Sequence, residues 1–311
     1  MPTVTWRRAW LALIMPAISL RSLLRAALFV LVALAVPAGA DQTVLYDKPS
    51  LFGSIIVTED ENGLRILRFE QYGARQSVVK PGDPEYLGLP YAQVMFAGLA
   101  LCEEPRRLLV VGLGGGTLPM FLRRHYPHAA IDAVDIDPQV VHVAKEFFGF
   151  REDERMRAHV GDGRKFIEKS RQPYDAIFLD AFGAEEVPAH LTTQEFLRAV
   201  RRAVKPGGVV VGNIWARSSN PLYDSMVRTY QEVFDELFIL DVRGSGNRIL
   251  LALPRRQPLG RDELAQLARG VSSVKKFRFD LGDLVTSGYS HAQAKNQDGR
   301  VLRDADLRRP K

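Results

Sequence analysis

The 311-residue chain contains a single cysteine, Cys102, so it has neither an intramolecular disulfide nor a multi-cysteine metal cluster. Histidines are few, and His125, His128, His142 and His159 are scattered without ligand spacing, so no metal site is expected. Long apolar runs are missing: the stretch Ala26 to Val36 falls short of the about 20 residues a spanning helix needs. No internal repeat is evident. Charge excess is small as well. The chain has 42 Lys+Arg against 36 Asp+Glu, a formal +6, and four of the arginines (Arg7, Arg8, Arg21, Arg25) fall in residues 1–40, which hold no acid. Without that segment 38 basic residues face 36 acidic ones, a net +2, so no nucleic-acid partner is expected. The full chain is 46% hydrophobic and 25% charged, which excludes disorder, collagen and coiled coil. The length suits one large domain or two.

Residues 1–40 read as a secretory signal: a basic start, the short run Ala26 to Val36, then Pro37-Ala38-Gly39-Ala40 before Asp41. A second apolar stretch, Ala9 to Leu20, precedes it, and a start at Met15 would give a more usual signal length. Arg7-Arg8 fits a twin-arginine signal poorly. An uncleaved membrane anchor is the alternative. Either way the arginines precede the apolar run, which places the rest of the chain outside, exported or anchored on the periplasmic side. A cytoplasmic location is the other reading.

From Asp41 to about residue 88, short alternating runs around Val44-Leu45-Tyr46, Ser54-Ile55-Ile56-Val57 and Leu64 to Phe69 predict a small antiparallel β domain, with a hairpin at Glu61-Asn62-Gly63. Lys80-Pro81-Gly82-Asp83-Pro84 breaks the chain, and Tyr91 to Leu101 reads as a helix. Over 89–255 apolar strands alternate with helices: Leu108 to Val111, Ile131 to Val134, Ala158 to Val160, Ala176 to Leu179 and Val209 to Val211. Repeated βα units with continuously apolar strands predict an α/β fold, a mostly parallel sheet covered on both faces. A helix near Pro221 to Phe234 and strands near Phe238 and Ile249 complete it. Residues 256–311 read as a basic, poorly patterned tail.

In open α/β sheets ligands bind outside the carboxyl ends of the strands. Four such ends carry suggestive residues. Gly112-Leu113-Gly114-Gly115-Gly116 allows close approach of a ligand to backbone, and Thr117 stands where a dinucleotide fingerprint wants its last glycine. That spacing favours a nucleoside without pyrophosphate, such as an S-adenosyl compound, over NAD. Asp135, about 20 residues on, is placed to hold ribose hydroxyls. Asp137 precedes Pro138 and either caps the next helix or meets the ligand. Asp162, between Gly161 and Gly163, can accept from an adenine amino group or cap its own helix. Asp180 is a candidate base beside the reacting end. Cys102 reads as a small packed hydrophobe. Trp215 and Tyr223 border the acceptor pocket or simply pack in the core.

Taken in order, these residues resemble the spermidine synthase (polyamine aminopropyltransferase) family, in a divergent bacterial branch. The resemblance runs from about Val57 to about Leu240 and includes Tyr91, the glycine loop, Val134-Asp135-Ile136-Asp137-Pro138 and Gly161-Asp162-Gly163. It continues through Tyr174 to Asp180, Leu191-Thr192-Thr193-Gln194-Glu195-Phe196 and Lys205-Pro206-Gly207-Gly208. The Leu-Thr-Thr-x-Glu-Phe segment separates this family from general methyltransferases.

The resemblance implies a class I S-adenosylmethionine-dependent methyltransferase-like (Rossmann-like) sheet with a small N-terminal β domain. It implies transfer of an aminopropyl group from decarboxylated S-adenosylmethionine to a diamine such as putrescine, without a metal, by a homodimer. Asp180 matches the catalytic aspartate, Asp135 the ribose-binding acid and Asp162 the adenine-binding one. Gln76, Gly112, Gly114, Gly116 and Gly163 fall in the donor site, and Tyr91 in the amine pocket. The departures are specific. Gly115 stands where the family carries an acid for the donor's ammonium, and Gly183 where a second acid binds the acceptor. Ala92 replaces a polar residue, and the later Tyr-Pro-Ser-Gly segment is missing. Glu185 or Glu186 could supply one of those carboxylates. Each lost charged hydrogen bond is worth about 1.5–3 kcal/mol. Two alternatives stand beside aminopropyl transfer: an S-adenosylmethionine-dependent methyltransferase, and a non-catalytic exported nucleoside- or polyamine-binding homologue.

Overall fold

Two sheets organise the chain. The structure, a computed structural model, describes residues 42–51, 53–183, 186–292 and 294–308. The targeting segment read from residues 1–40 lies outside them, as does Glu185. The first sheet is antiparallel, in the order β1 (Thr43–Ser50), β2 (Gly53–Glu59), β3 (Arg65–Arg68), β4 (Arg75–Val79). Gly63, at φ +71°, makes the turn between β2 and β3, as the Glu61-Asn62-Gly63 signal requires.

The second sheet has eight strands. Five of them are parallel: β5 (Arg107–Val111), β6 (Ala130–Asp135), β7 (Met156–Val160), β8 (Tyr174–Leu179) and β9 (Val204–Trp215). Three antiparallel strands extend it: β10 (Glu236–Asp241), β11 (Asn247–Leu253) and β12 (Tyr289–His291). Across the sheet the order is β12-β10-β11-β9-β8-β5-β6-β7. Successive residues of β5 point to opposite faces, so Leu108 and Val110 join one apolar cluster, Leu109 and Val111 the other. Both faces are covered, which is why these strands read as unbroken apolar runs. Residues 42–311 together form one compact unit.

The helices fall where the alternation predicts. The segment from Tyr91 begins as α1 (Pro90–Met95) and tightens to a 3₁₀ turn over Phe96–Leu101. Then come α2 (Thr117–His125), α3 (Pro138–Phe147), α4 (Gly163–Lys169), α5 (Gln194–Ala203) and α6 (Tyr223–Val233). Residues 256–311 depart from the reading of a poorly patterned tail. They contain α7 (Arg261–Lys275) and α8 (Leu281–Gly288), and β12 pairs with β10 at the sheet edge. The buried face of α7 is Leu264, Ala265, Ala268 and Ser272, which recur at helical spacing but with one large apolar side chain among small ones. Among the described residues no helix is long and apolar enough to cross a membrane.

Candidate active site

A cavity of about 230 Å³ opens at the carboxyl ends of β5, β6 and β8 and is walled on one side by residues of β1, β2 and β4. Of the nine site residues expected from sequence, seven line it: Gln76, Tyr91, Gly112, Gly114, Asp135, Gly163 and Asp180. Gly116 and Asp162 do not. Gly116 precedes α2 at φ +76°, facing Phe150, and Asp162 precedes the lining residue Gly163 at the start of α4.

The glycine loop is held by its own neighbours. Gly112 N–H donates to the Val134 carbonyl at 2.8 Å, and Gly116 N–H to that of Leu113 at 2.8 Å. Gly115 N–H donates to Ser77 Oγ at 2.8 Å. Leu113 N–H donates to Asp135 Oδ2 at 2.8 Å, and Asp137 N–H to Asp135 Oδ1 at 3.0 Å. Both oxygens of Asp135 are therefore fixed by backbone before any ligand arrives. Burial nevertheless pushes its carboxyl above the ordinary range, against the pull of those amides. The loop passes so close to β8 that a Cβ on Gly112 would lie 2.3 Å from the Asp180 carbonyl oxygen. Only glycine fits there.

Two of the acids turn out to cap helices. Asp137 is buried, accepts from Gln139 N–H at 2.8 Å at the start of α3, and is hydrogen-bonded by Ser50 Oγ from β1. Asp162 Oδ1 accepts from Arg164 and Lys165 N–H at 2.8 and 3.2 Å at the start of α4. Its Oδ2 lies 3.4 Å from Nε2 of His190, whose ring lines the cavity.

Asp180 is built differently. Its Oδ2 accepts from the Tyr91 hydroxyl at 3.2 Å, and its Oδ1 from Nδ2 of Asn213 at 2.8 Å. Burial pushes its carboxyl up to about 7, the two hydrogen bonds opposing that rise. A base with that value is poised at neutral pH. The Tyr91 hydroxyl is in turn driven well above its usual range by burial, then by the neighbouring carboxylate.

Three side chains with no local sequence signal complete the site: Ser77, His190 and Asn213. Asn213 is the most telling, a buried amide in a strand that otherwise reads Val209 to Val211, apolar. The departures also gain a geometry. A side chain at Gly115 has no room, because its Cβ would meet Phe148 Cδ1 at 2.7 Å and Ser77 Cβ at 3.0 Å. Gly183 lines the cavity, and among the described residues only the Glu186 carbonyl oxygen comes within reach of a Cβ there, at 3.5 Å. Glu186 itself is exposed and away from the cavity wall. Ala92 is buried in α1. Trp215 stands behind the cavity, edge-on to Phe182 at 5.7 Å. Cys102 is half-buried, its thiol raised to about 12 by burial. Among the described residues no cluster of three or more His, Cys, Asp or Glu could hold a metal ion.

Residues 90–236 match the spermine/spermidine synthase domain. The polyamine aminopropyltransferase of Vibrio vulnificus is 35% identical over 239 residues, covering 75% of this chain and 79% of that protein. The eEF1A lysine and N-terminal methyltransferase of Bos taurus is 36% identical over 211 residues, 62% of this chain but only 30% of that longer protein. Among solved structures, a probable spermidine synthase from Corynebacterium glutamicum superposes with a TM-score of 0.69. It covers 84% of this chain and 97% of its own, and at 19% identity it speaks to the fold alone.

Proposed function

The chain belongs to the spermine/spermidine synthase family, and from that membership we propose that it moves an aminopropyl group from decarboxylated S-adenosylmethionine to an amine such as putrescine. The observation that carries the choice of donor is the charge of the cavity. Asp135, Asp137 and Asp180 line it, and no lysine or arginine does among the described residues. A sulfonium that also bears an ammonium suits such walls. The intact S-adenosylmethionine brings a carboxylate, which would meet acids and no cation.

In this reading the acceptor's ammonium gives a proton to the Asp180 carboxylate. The freed nitrogen lone pair attacks the methylene next to sulfur. A C–N bond forms, the C–S bond breaks, and its electron pair stays on sulfur, leaving neutral methylthioadenosine. Asp135 holds the ribose hydroxyls, and Tyr91 keeps Asp180 turned toward the acceptor. The test is turnover of decarboxylated S-adenosylmethionine with putrescine, read as methylthioadenosine and triamine. Replacing Asp180 with Ala should lower the rate by about 10²–10⁴-fold. Equal, trace product from both proteins would overturn the reading.

A second reading, methyl transfer, draws on the 36% identity to the methyltransferase. Calorimetry separates the two, since a methyltransferase binds S-adenosylmethionine far more tightly than its decarboxylated form. The basic and apolar order of residues 1–40 supports export or anchoring. N-terminal sequencing of fractionated protein tests it: a mature start at Asp41 in an exported fraction is expected for a cleaved signal.

A further inference from the structure

Asp180 is the near end of a chain of side chains that leaves the cavity. Asn213 Nδ2 donates to Asp180 Oδ1 at 2.8 Å, and Asn247 Nδ2 donates to Asn213 Oδ1 at 2.9 Å. The Ser245 hydroxyl donates to Asn247 Oδ1. Both asparagines are buried, 3% and 4% exposed, on the neighbouring strands β9 and β11. Polarity runs one way along this chain. An ionised carboxylate only accepts, so Asn213 must present its NH₂ to Asp180. Its carbonyl then points at Asn247, which presents its own NH₂, and Ser245, whose oxygen already accepts from the Asn247 backbone N–H at 3.4 Å, gives its proton to the Asn247 carbonyl.

We propose that Asn247, seated by Ser245, is a positioning residue that locks the amide of Asn213 as a donor and so holds Asp180 in its proton-accepting form. Without the lock, the Asn213 amide can turn over and offer its carbonyl to a protonated Asp180, which favours the acid and disables the base. The inference rests on the aminopropyl-transfer reading for its consequence in turnover, but not for its physical content. Among the described residues few other groups face Asp180. Tyr91, from α1, is the titratable group in contact with Asp180, while β9 brings Asn213 and the glycine loop brings Gly112. Asp135 and His190 share the cavity. Arg248, next to Asn247, is paired with Asp241 at 2.5 Å.

The test titrates the ¹³C carboxyl signal of Asp180, assigned by its loss in Asp180→Asn, in the parent protein and in Asn247→Leu. The midpoint should rise by about one pH unit in Asn247→Leu. The acidic limb of kcat should move with it, while kcat at high pH and the donor KM stay within about twofold of the parent. Ser245→Ala should shift the midpoint the same way by less, and carries the test should Asn247→Leu fail to fold. A folded variant with an unmoved midpoint overturns the proposal. Because the titration needs no turnover, a shifted midpoint in a protein that forms no triamine would sink the functional reading and leave the lock standing.

Discussion

The two acids at the heart of the cavity are anchored in opposite ways. Asp135 is held by backbone: the N–H groups of Leu113 and Asp137 each take one of its oxygens. Asp180 is held by side chains: the hydroxyl of Tyr91 and the amide of Asn213. Backbone amides cannot turn, so the Asp135 end of the cavity is a rigid fixture of the fold. Hydroxyls rotate and amides flip, so the reacting end can be tuned, and needs a lock to stay tuned.

The sharpest way to break this contrast is to make the same substitution at both positions. Asp135→Asn puts an NH₂ against one of two fixed N–H donors. It should destabilise the protein by about 2 kcal/mol and weaken donor binding about 100-fold, read by thermal unfolding and calorimetry. Asp180→Asn should do the reverse to stability. Its carboxyl titrates at about 7 in the folded chain against an ordinary 3.8. Between those values the folded chain holds a proton that the unfolded chain has lost, so stability falls as pH rises through that window. The amide carries no such penalty and can still accept from Asn213 while the Tyr91 hydroxyl rotates to accept from it. Asp180→Asn should therefore be up to about 4 kcal/mol more stable than the parent at pH 8 and no more stable at pH 4. A loss of stability at pH 8 would erase the distinction between the two anchors. The mildest expected effect is that of Tyr91→Phe. It removes one donor to the ionised Asp180, so the acidic limb of the rate profile should climb by about half a unit. That is a loss of about threefold below neutral pH, with little change above pH 9.

The same contrast explains what could be read from sequence. Elements that organise backbone leave local patterns. The glycine loop, the acids after β6 and β7 and the apolar strands were all visible, and seven of nine expected site residues line the cavity. Groups assembled by side chains leave none. Asn213, Ser77 and Asn247 come from separate strands, and each looks like an isolated polar residue until the fold brings Asn213 to Asp180, Asn247 to Asn213 and Ser77 to the glycine loop. Helix capping by Asp137 and Asp162 was an open alternative in sequence, because a cap and a ligand contact require the same carboxylate before the same helix. The C-terminal segment differs again: the inner face of α7 does recur at helical spacing, but Leu264 is its one large buried side chain and the rest are alanine and serine, which score weakly as hydrophobic.

That segment has a further consequence. Strand β10 is buried along Leu237, Phe238, Ile239 and Leu240, and without β12 one whole side of its backbone would stand open to pairing with another chain. β12 covers it with only three residues, Tyr289 to His291, and one further bond from Ala292 N–H to the Leu237 carbonyl at 3.1 Å. A strand that short offers a poor template for further addition. The short β12 thus caps the β10 edge and leaves little strand beyond it for another chain to pair with.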